Sequence, residues 1–359
     1  MLGPITVIIN ASAGLGYQSD WTEQLRGKLE APGFTVTLKL AHSGAEMIAA
    51  AEQALGEGAT MVVAGGGDGT INAVASVLVG SGVRFGVLPL GTLNHFAKDM
   101  KIPLALDEAI ANLVDGQPSL VDVGEVNGSI FLNNSSLGLY PDIVRQREQL
   151  QRKLGQGKWP AFGRALVASL RRYPFLNVKL KVNGDAHARR TPFVFIGNNE
   201  YLMQGLSMGA RARLDGGMLS LYVAQRPTRL GLLRLAFHAL RGRLSEAKDF
   251  DVLLARELVI ETHHKRLRVA TDGEVNIMHP PLCYRSLPAA LAVMVPPGVA
   301  AEAAASKVAG IDAYGADASA VEGAGGNANA AAAAAASSID GVAAAARTPA
   351  AARRSAASA

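Results

Sequence analysis

Over its first ninety residues the chain alternates short β-branched runs with stretches of helical length, and this rhythm limits the folds open to it more than any other feature. Ile5 to Ile9, Phe34 to Leu40, Met61 to Ala64 and Arg84 to Leu88 read as strands, with Ser19 to Glu30, Ala45 to Leu55 and Gly69 to Leu78 as crossover helices between them. Strand and helix alternating at this spacing predict a doubly wound, mostly parallel sheet covered on both faces. In such sheets ligands bind outside the carboxyl ends of the strands. Three polar or Gly-rich turns fall at that edge: Asn10-Ala11-Ser12-Ala13-Gly14-Leu15-Gly16, Gly65-Gly66-Gly67-Asp68-Gly69-Thr70 and Pro89-Leu90-Gly91-Thr92-Leu93-Asn94.

Past residue 120 strand follows strand. Leu120 to Val126 and Ser129 to Asn134 flank Asn127-Gly128, and Leu176 to Val182 and Thr191 to Ile196 flank Asn183-Gly184-Asp185. Asn-Gly between alternating runs is a strong hairpin signal. Further strands are expected at Met218 to Val223, Glu257 to Thr262, Leu267 to Ala270, Pro281 to Tyr284 and Leu291 to Val295. This half reads as an antiparallel β-sandwich with inserted helices. The predicted organisation is an α/β nucleotide-binding domain at 1–120, a β-sandwich substrate domain at 121–297 whose last strands can pack back on the first, and a tail at 298–359. Ala, Gly and Ser dominate that tail, which lacks large apolar side chains and is expected to be disordered.

A chain of 359 residues that is 49% hydrophobic can bury two cores, so disorder throughout is excluded. Cys283 is the only cysteine, which leaves no intrachain disulfide and no Cys-rich zinc site, and points to a reducing cytosol. His263 and His264 fall on adjacent strand positions facing opposite ways, so a zinc site there is not expected. The first residues read as a strand rather than a signal peptide, and no apolar run reaches the length of a membrane span.

The net charge of +5 is unevenly placed, because 145–190 holds twelve Lys and Arg against Glu148 and Asp185. One face is therefore expected to meet something anionic. Within it Phe162, Leu166, Leu170 and Tyr173 recur at helical spacing before Pro174. Most such stripes are core-facing helices with a solvated side, and the functional alternative is an interfacial helix on anionic lipid. No recognised nucleic-acid motif accompanies the charge, so nucleic acid is not an expected partner.

The glycines of the second turn let backbone N–H groups approach a phosphate closely, and the following helix N-terminus adds a favourable field. Asp68 beside phosphates needs a cation, and Mg²⁺ fits. The plain alternative is a tight turn with Asp68 as helix N-cap. In the third turn Thr92 and Asn94 offer neutral donors, or Thr92 merely caps the next helix. Thr271-Asp272-Gly273-Glu274 is either a hairpin turn or a carboxylate placed to accept a proton from a hydroxyl.

Taken together, Gly66-Gly67-Asp68-Gly69-Thr70, Pro89-x-Gly91-Thr92-x-Asn94 and Asp272-Gly273-Glu274, in that order, resemble the diacylglycerol kinase catalytic-domain family of diacylglycerol, sphingosine, ceramide and bacterial lipid kinases. The resemblance covers about residues 4–297. Asn10 to Gly14, Asp122, Gly138 and Ala210-x-x-x-Leu214-Asp215-Gly216 also match, the last two looking like lipid kinases rather than the related NAD kinases. The resemblance implies transfer of the γ-phosphate of ATP to a lipid hydroxyl. It places the nucleotide against Asn10, Ala11, Ser12, Ala13 and Gly14, against Gly66, Gly67, Asp68, Gly69, Thr70 and Asn72, and beside Thr92 and Asn94. It makes Glu274 the proton acceptor with Asp272 adjacent, and puts Mg²⁺ near Asp68 and Asp215.

The expected setting is cytoplasmic, peripheral to the inner membrane, with anionic lipid met through 145–190. His95 stands where the family often has an acid, and Gly216 stands where Leu-Asp-Asp-Gly is common. Two rivals keep the same residues in view: a soluble NAD-type kinase, and a non-catalytic nucleotide or lipid sensor.

Overall fold

The computed structural model describes residues 3–11, 19–138, 175–182, 184–204, 207–211, 213–224 and 250–300. Outside the described residues lie Ser12, Ala13 and Gly14 of the first turn, the 145–174 part of the basic segment with its helical stripe, and 301–359.

The four strands expected in the first half form, as β1 (Pro4–Asn10), β2 (Thr35–Ala41), β3 (Met61–Gly66) and β4 (Arg84–Pro89). They lie in the order β2-β1-β3-β4, all parallel, with Ile5 opposite both Val36 and Met61. Between them run α1 (Ser19–Glu30), α2 (Gly44–Gly56) and α3 (Asp68–Leu78). The Ser43 hydroxyl accepts the Glu46 N–H to start α2, while the Glu46 carboxylate reaches back to the His42 N–H at 2.8 Å. That reciprocal pair satisfies amides that a helix start leaves free. The sheet is apolar on both faces. One packs Ile5, Val7, Ile9 and Met61 against Leu25 and Leu29 of α1, and the other packs Ile8, Val62 and Ala64 against Ala51, Ile71 and Val74 of α2 and α3. Two further helices follow, α4 (His95–Asp99), whose N-cap is Asn94 rather than Thr92, and α5 (Leu106–Asp115), which adds Ala109, Ile110 and Leu113 to the α1 side.

The second half begins with β5 (Gln117–Val126) and β6 (Ser129–Phe131), then β7 (Asn134–Gly138). The run expected as one strand from Ser129 to Asn134 is two, because Leu132 and Asn133 leave the ladder and turn their N–H groups toward Asp272. β8 (Leu176–Val182) pairs in a hairpin with β9 (Asp185–Thr191), and β10 (Phe193–Asn198) follows Pro192. The expected Thr191 to Ile196 strand thus breaks at Pro192, which has no N–H to give a ladder. Then come β11 (Tyr201–Gln204), β12 (Ser207–Arg211), β13 (Leu219–Ala224), β14 (Phe250–Ala255), β15 (Glu257–Thr262), β16 (Leu267–Thr271) and β17 (Glu274–Met278). β18 (Leu282–Val295) unites the two last expected strands in one.

β18 joins the halves. It runs parallel to β4 at Ala292–Arg84, antiparallel to β5 along most of its length, and antiparallel to β15, so one sheet continues β4-β18-β15-β8-β9. The far part of this sheet stacks on a second, β14-β13-β10-β7-β16-β17. Between them Leu180, Leu258, Ile260 and Tyr284 meet Leu137, Val194, Ile196, Leu221 and Val269, all buried. An antiparallel sandwich therefore follows the parallel α/β sheet, as its alternating inward residues require. The chain beyond Pro297 does not leave the body at once, since Val299 and Ala300 pack partly buried on the α2–α3 core.

Candidate active site

The turn after β3 is compressed onto its neighbours. A methyl group on Gly66 would lie 2.4 Å from the Thr70 hydroxyl, and one on Gly91 would lie 2.4 Å from the Gly67 Cα. No side chain fits either gap, so the backbones of the Gly66–Thr70 and Pro89–Asn94 turns touch directly. The Leu90 N–H donates to the Gly66 carbonyl at 3.0 Å, and Asn10 Nδ2 donates to Thr70 Oγ1 at 3.0 Å, which draws the end of β1 into the same cluster.

Asn94 takes a left-handed conformation at φ 50° and spends its buried amide on its own turn. Its Oδ1 accepts the Gly91 N–H at 3.1 Å and its Nδ2 donates to the Pro89 and Gly91 carbonyls. Asn94 thus shapes the turn, while Thr92 is exposed at its tip. Asp68 opens α3, whose N-cap is Gly67, and its Oδ1 accepts the Phe96 N–H at 3.1 Å, tying α3 to α4.

The Asp272-Gly273-Glu274 turn between β16 and β17 faces this cluster from the sandwich. Asp272 sits at φ 48° with four donors on its carboxylate: the N–H groups of Leu132 (2.6 Å), Asn133 (2.8 Å) and Asn134 (3.0 Å), and Asn72 Nδ2 (2.7 Å). Burial pushes its pKa up, and the four donors pull against that rise. With both oxygens occupied, Asp272 is an anchor that docks the turn onto α3. Glu274 is the accessible member: it is exposed, and its Oε1 would lie 2.9 Å from a methyl group placed on Gly69. Partial burial and then the Asp272 charge raise the Glu274 pKa, the direction that makes a carboxylate a better proton acceptor.

Asn10, Gly66, Gly67, Asp68, Gly69, Thr70, Asn72, Thr92, Asn94, Asp272 and Glu274 therefore belong to one connected set of turns, and Ala11 follows Asn10 with its N–H on the Ala41 carbonyl of β2. Asp215 Oδ1 lies 3.2 Å from Arg213 Nε. Among the described residues no group of three or more His, Cys, Asp or Glu side chains is placed to hold a metal ion; Mg²⁺ that arrives with a nucleotide needs only one or two carboxylates beside phosphate oxygens and water. The segment around Asp215 is instead organised by buried Asp122, which accepts the Gly217 N–H at 2.6 Å and the Ala289 N–H at 2.9 Å. A Cβ on Gly216 would meet Asn199 Oδ1 at 2.8 Å, so a larger residue there requires Asn199 to shift.

The sequence reading passed over Asn133, Asn134, Asp99 and Arg211. Arg211 ends β12 with its side chain 1% exposed and reaches Asp99, Asn133 and the Leu132 and Asn198 carbonyls. No local pattern marks it, since each partner comes from another element.

A family profile described as the diacylglycerol kinase catalytic domain matches residues 4–126, and one described as the YegS C-terminal NAD kinase beta sandwich-like domain matches 142–295. The chain is 27% identical over 282 residues to the "Probable lipid kinase YegS-like" of Chromohalobacter salexigens, covering 76% of this chain and 88% of that protein. It is 24% identical over 278 residues to the diacylglycerol kinase of Bacillus subtilis, covering 76% and 90%. Among solved structures, a diacylglycerol kinase from Bacillus anthracis superposes with a TM-score of 0.60 at 21% identity, over 82% of this chain and 97% of that one.

Proposed function

Because the chain belongs to the diacylglycerol kinase catalytic-domain family of lipid kinases, we propose that it transfers the γ-phosphate of ATP to the hydroxyl of a membrane lipid, a diacylglycerol or sphingoid-like alcohol. The observation that carries this reading is the meeting of the Gly-rich turn with the acid turn, where Asn72 bonds Asp272 at 2.7 Å and Glu274 borders Gly69. A Gly-rich turn at a helix N-terminus, open to close approach by phosphates, and one accessible carboxylate with a raised pKa are what phosphoryl transfer asks of a protein. Glu274 takes the proton of the lipid hydroxyl as its oxygen attacks the γ-phosphorus, and the bond to the β–γ bridging oxygen breaks to release ADP. Mg²⁺ enters with ATP as part of the substrate. Asn10, Gly66 to Thr70 and Thr92 line the phosphate side, and Asp272 holds Glu274 in place.

The enzyme acts from the cytoplasmic side of the inner membrane, whose anionic surface it meets through 145–190. Of that segment Lys179, Arg189 and Arg190 are exposed on β8 and β9, with Arg190 over the Phe175 ring, while Lys181 pairs with Glu261 and Arg189 with Asp251. Among the described residues no helix is long and apolar enough to cross a membrane. Binding to vesicles containing phosphatidylglycerol should weaken steeply between low and high salt, and salt-independent binding would contradict the electrostatic contact.

The substrate class is tested by offering labelled ATP with diacylglycerol, with sphingosine and with NAD in parallel. Label in a lipid product is the expected result. Label in NAD alone would make the chain a soluble kinase of the same fold, and ATP binding with no labelled product would make it a sensor.

A further inference from the structure

We propose that Arg211 is a positioning residue that holds the nucleotide side and the acceptor side of the site in register. The inference rests on the lipid kinase reading of that site.

Arg211 Nε and Nη2 lie 3.0 and 2.8 Å from Asp99 Oδ2, at the last residue of α4. Nη2 also donates to Asn133 Oδ1 at 3.0 Å, and Nη1 donates to the Leu132 carbonyl at 2.7 Å and the Asn198 carbonyl at 3.2 Å. One planar fork thus fastens three segments far apart in the chain. The guanidinium is 5.9 Å from the Tyr201 ring centroid, and the Tyr201 hydroxyl donates to the Asn133 carbonyl at 3.0 Å, bracing the same segment from behind.

Two of these attachments lead to the chemistry. Leu132, Asn133 and Asn134 supply the N–H groups that hold Asp272, and therefore the turn that carries Glu274. Asp99 lies at one end of a five-residue helix whose other end presents the Phe96 N–H to Asp68. So short a helix has no stability of its own, and its position depends on what grips its ends. Side-chain exposures of 1% for Arg211 and 14% for Asp99 keep water from replacing the grip. Lysine, with three donors at one point, cannot reproduce a fork that spans these partners.

The test compares wild type, Arg211→Lys and Arg211→Met in ATP-dependent phosphorylation of dioleoylglycerol in detergent micelles, with amide exchange followed on the same proteins. The expected result is faster exchange at Phe96 and at Leu132 to Asn134 together. With it, kcat should fall about 100-fold, the scale of a misplacement of about 1 Å, while the KM for ATP moves by less than about threefold. If Arg211→Met does not fold, Arg211→Lys carries the comparison. A lysine variant that melts lower yet keeps its kcat would reduce Arg211 to a structural role, and exchange that rises on one side only would also overturn the proposal. If wild type leaves dioleoylglycerol unlabelled, the same comparison is run with sphingosine; no label in either lipid fails the lipid kinase reading on its own account, and loosening at both segments or at one still decides whether Arg211 links them.

Discussion

Asp272 and Glu274 sit two positions apart in one turn, yet they are given opposite tasks by their surroundings. Four donors fill both oxygens of Asp272, so it cannot serve as a proton acceptor without breaking its own anchorage. Glu274 is exposed, and its carboxyl pKa is raised by partial burial and by the neighbouring Asp272 charge. A raised pKa means that Glu274 keeps its proton to higher pH. As pH falls, kcat should be lost with a midpoint above the ordinary glutamate value of 4.5, and Asp272→Asn, which removes the like charge, should move that limb downward. A pH profile of kcat checks this, and a wild-type limb at or below 4.5 would contradict it. The pair was legible in the sequence as a motif, with Glu274 as acceptor implied by the resemblance, but the anchoring of Asp272 was not, because its backbone donors lie about 140 positions away at Leu132 to Asn134. Asp99 and Arg211, 112 positions apart, escaped notice for the same reason.

The parallel strands were legible because each is a short buried β-branched run stopped by glycine or a polar turn, with both signals local. β9, by contrast, reads Asp-Ala-His-Ala-Arg-Arg-Thr with mostly exposed positions, since it closes the edge of its sheet and buries little. An edge strand of this kind gives no alternation to read. β18 was split in the sequence reading because its middle is irregular: pairing with β5 shifts between Leu287 and Leu291, and Ala289 sits at φ 51°. Asp122 bridges that irregularity by accepting the Ala289 and Gly217 N–H groups. Asp122→Ala should therefore leave two donors without their acceptor and lower stability by about 2–5 kcal/mol in urea unfolding. A loss below about 1 kcal/mol would show that water replaces the carboxylate there.

Across the whole molecule one sheet runs through β18 from the parallel strands into one layer of the sandwich, so the α/β and sandwich halves are built into one compact unit, Met1–Ala303. Its boundary lies beyond Pro297, because Val299 and Ala300 pack on the core of the first half. A chain ending at Ala303 should melt about 2 °C above one ending at Pro297, as expected for two partly buried apolar side chains; equal melting temperatures would place the boundary at Pro297. The same continuity brings the Gly-rich turn of one half against the acid turn of the other, which is the basis of the proposed chemistry. That chemistry is tested most directly by transfer of labelled γ-phosphate from Mg²⁺-ATP into a mixed membrane-lipid extract, with wild type set beside Glu274→Ala. Label in an organic-phase product that falls at least about 100-fold in the variant, the scale of a lost general base, is the predicted result. Equal labelling by both proteins, or none by wild type, would contradict the account.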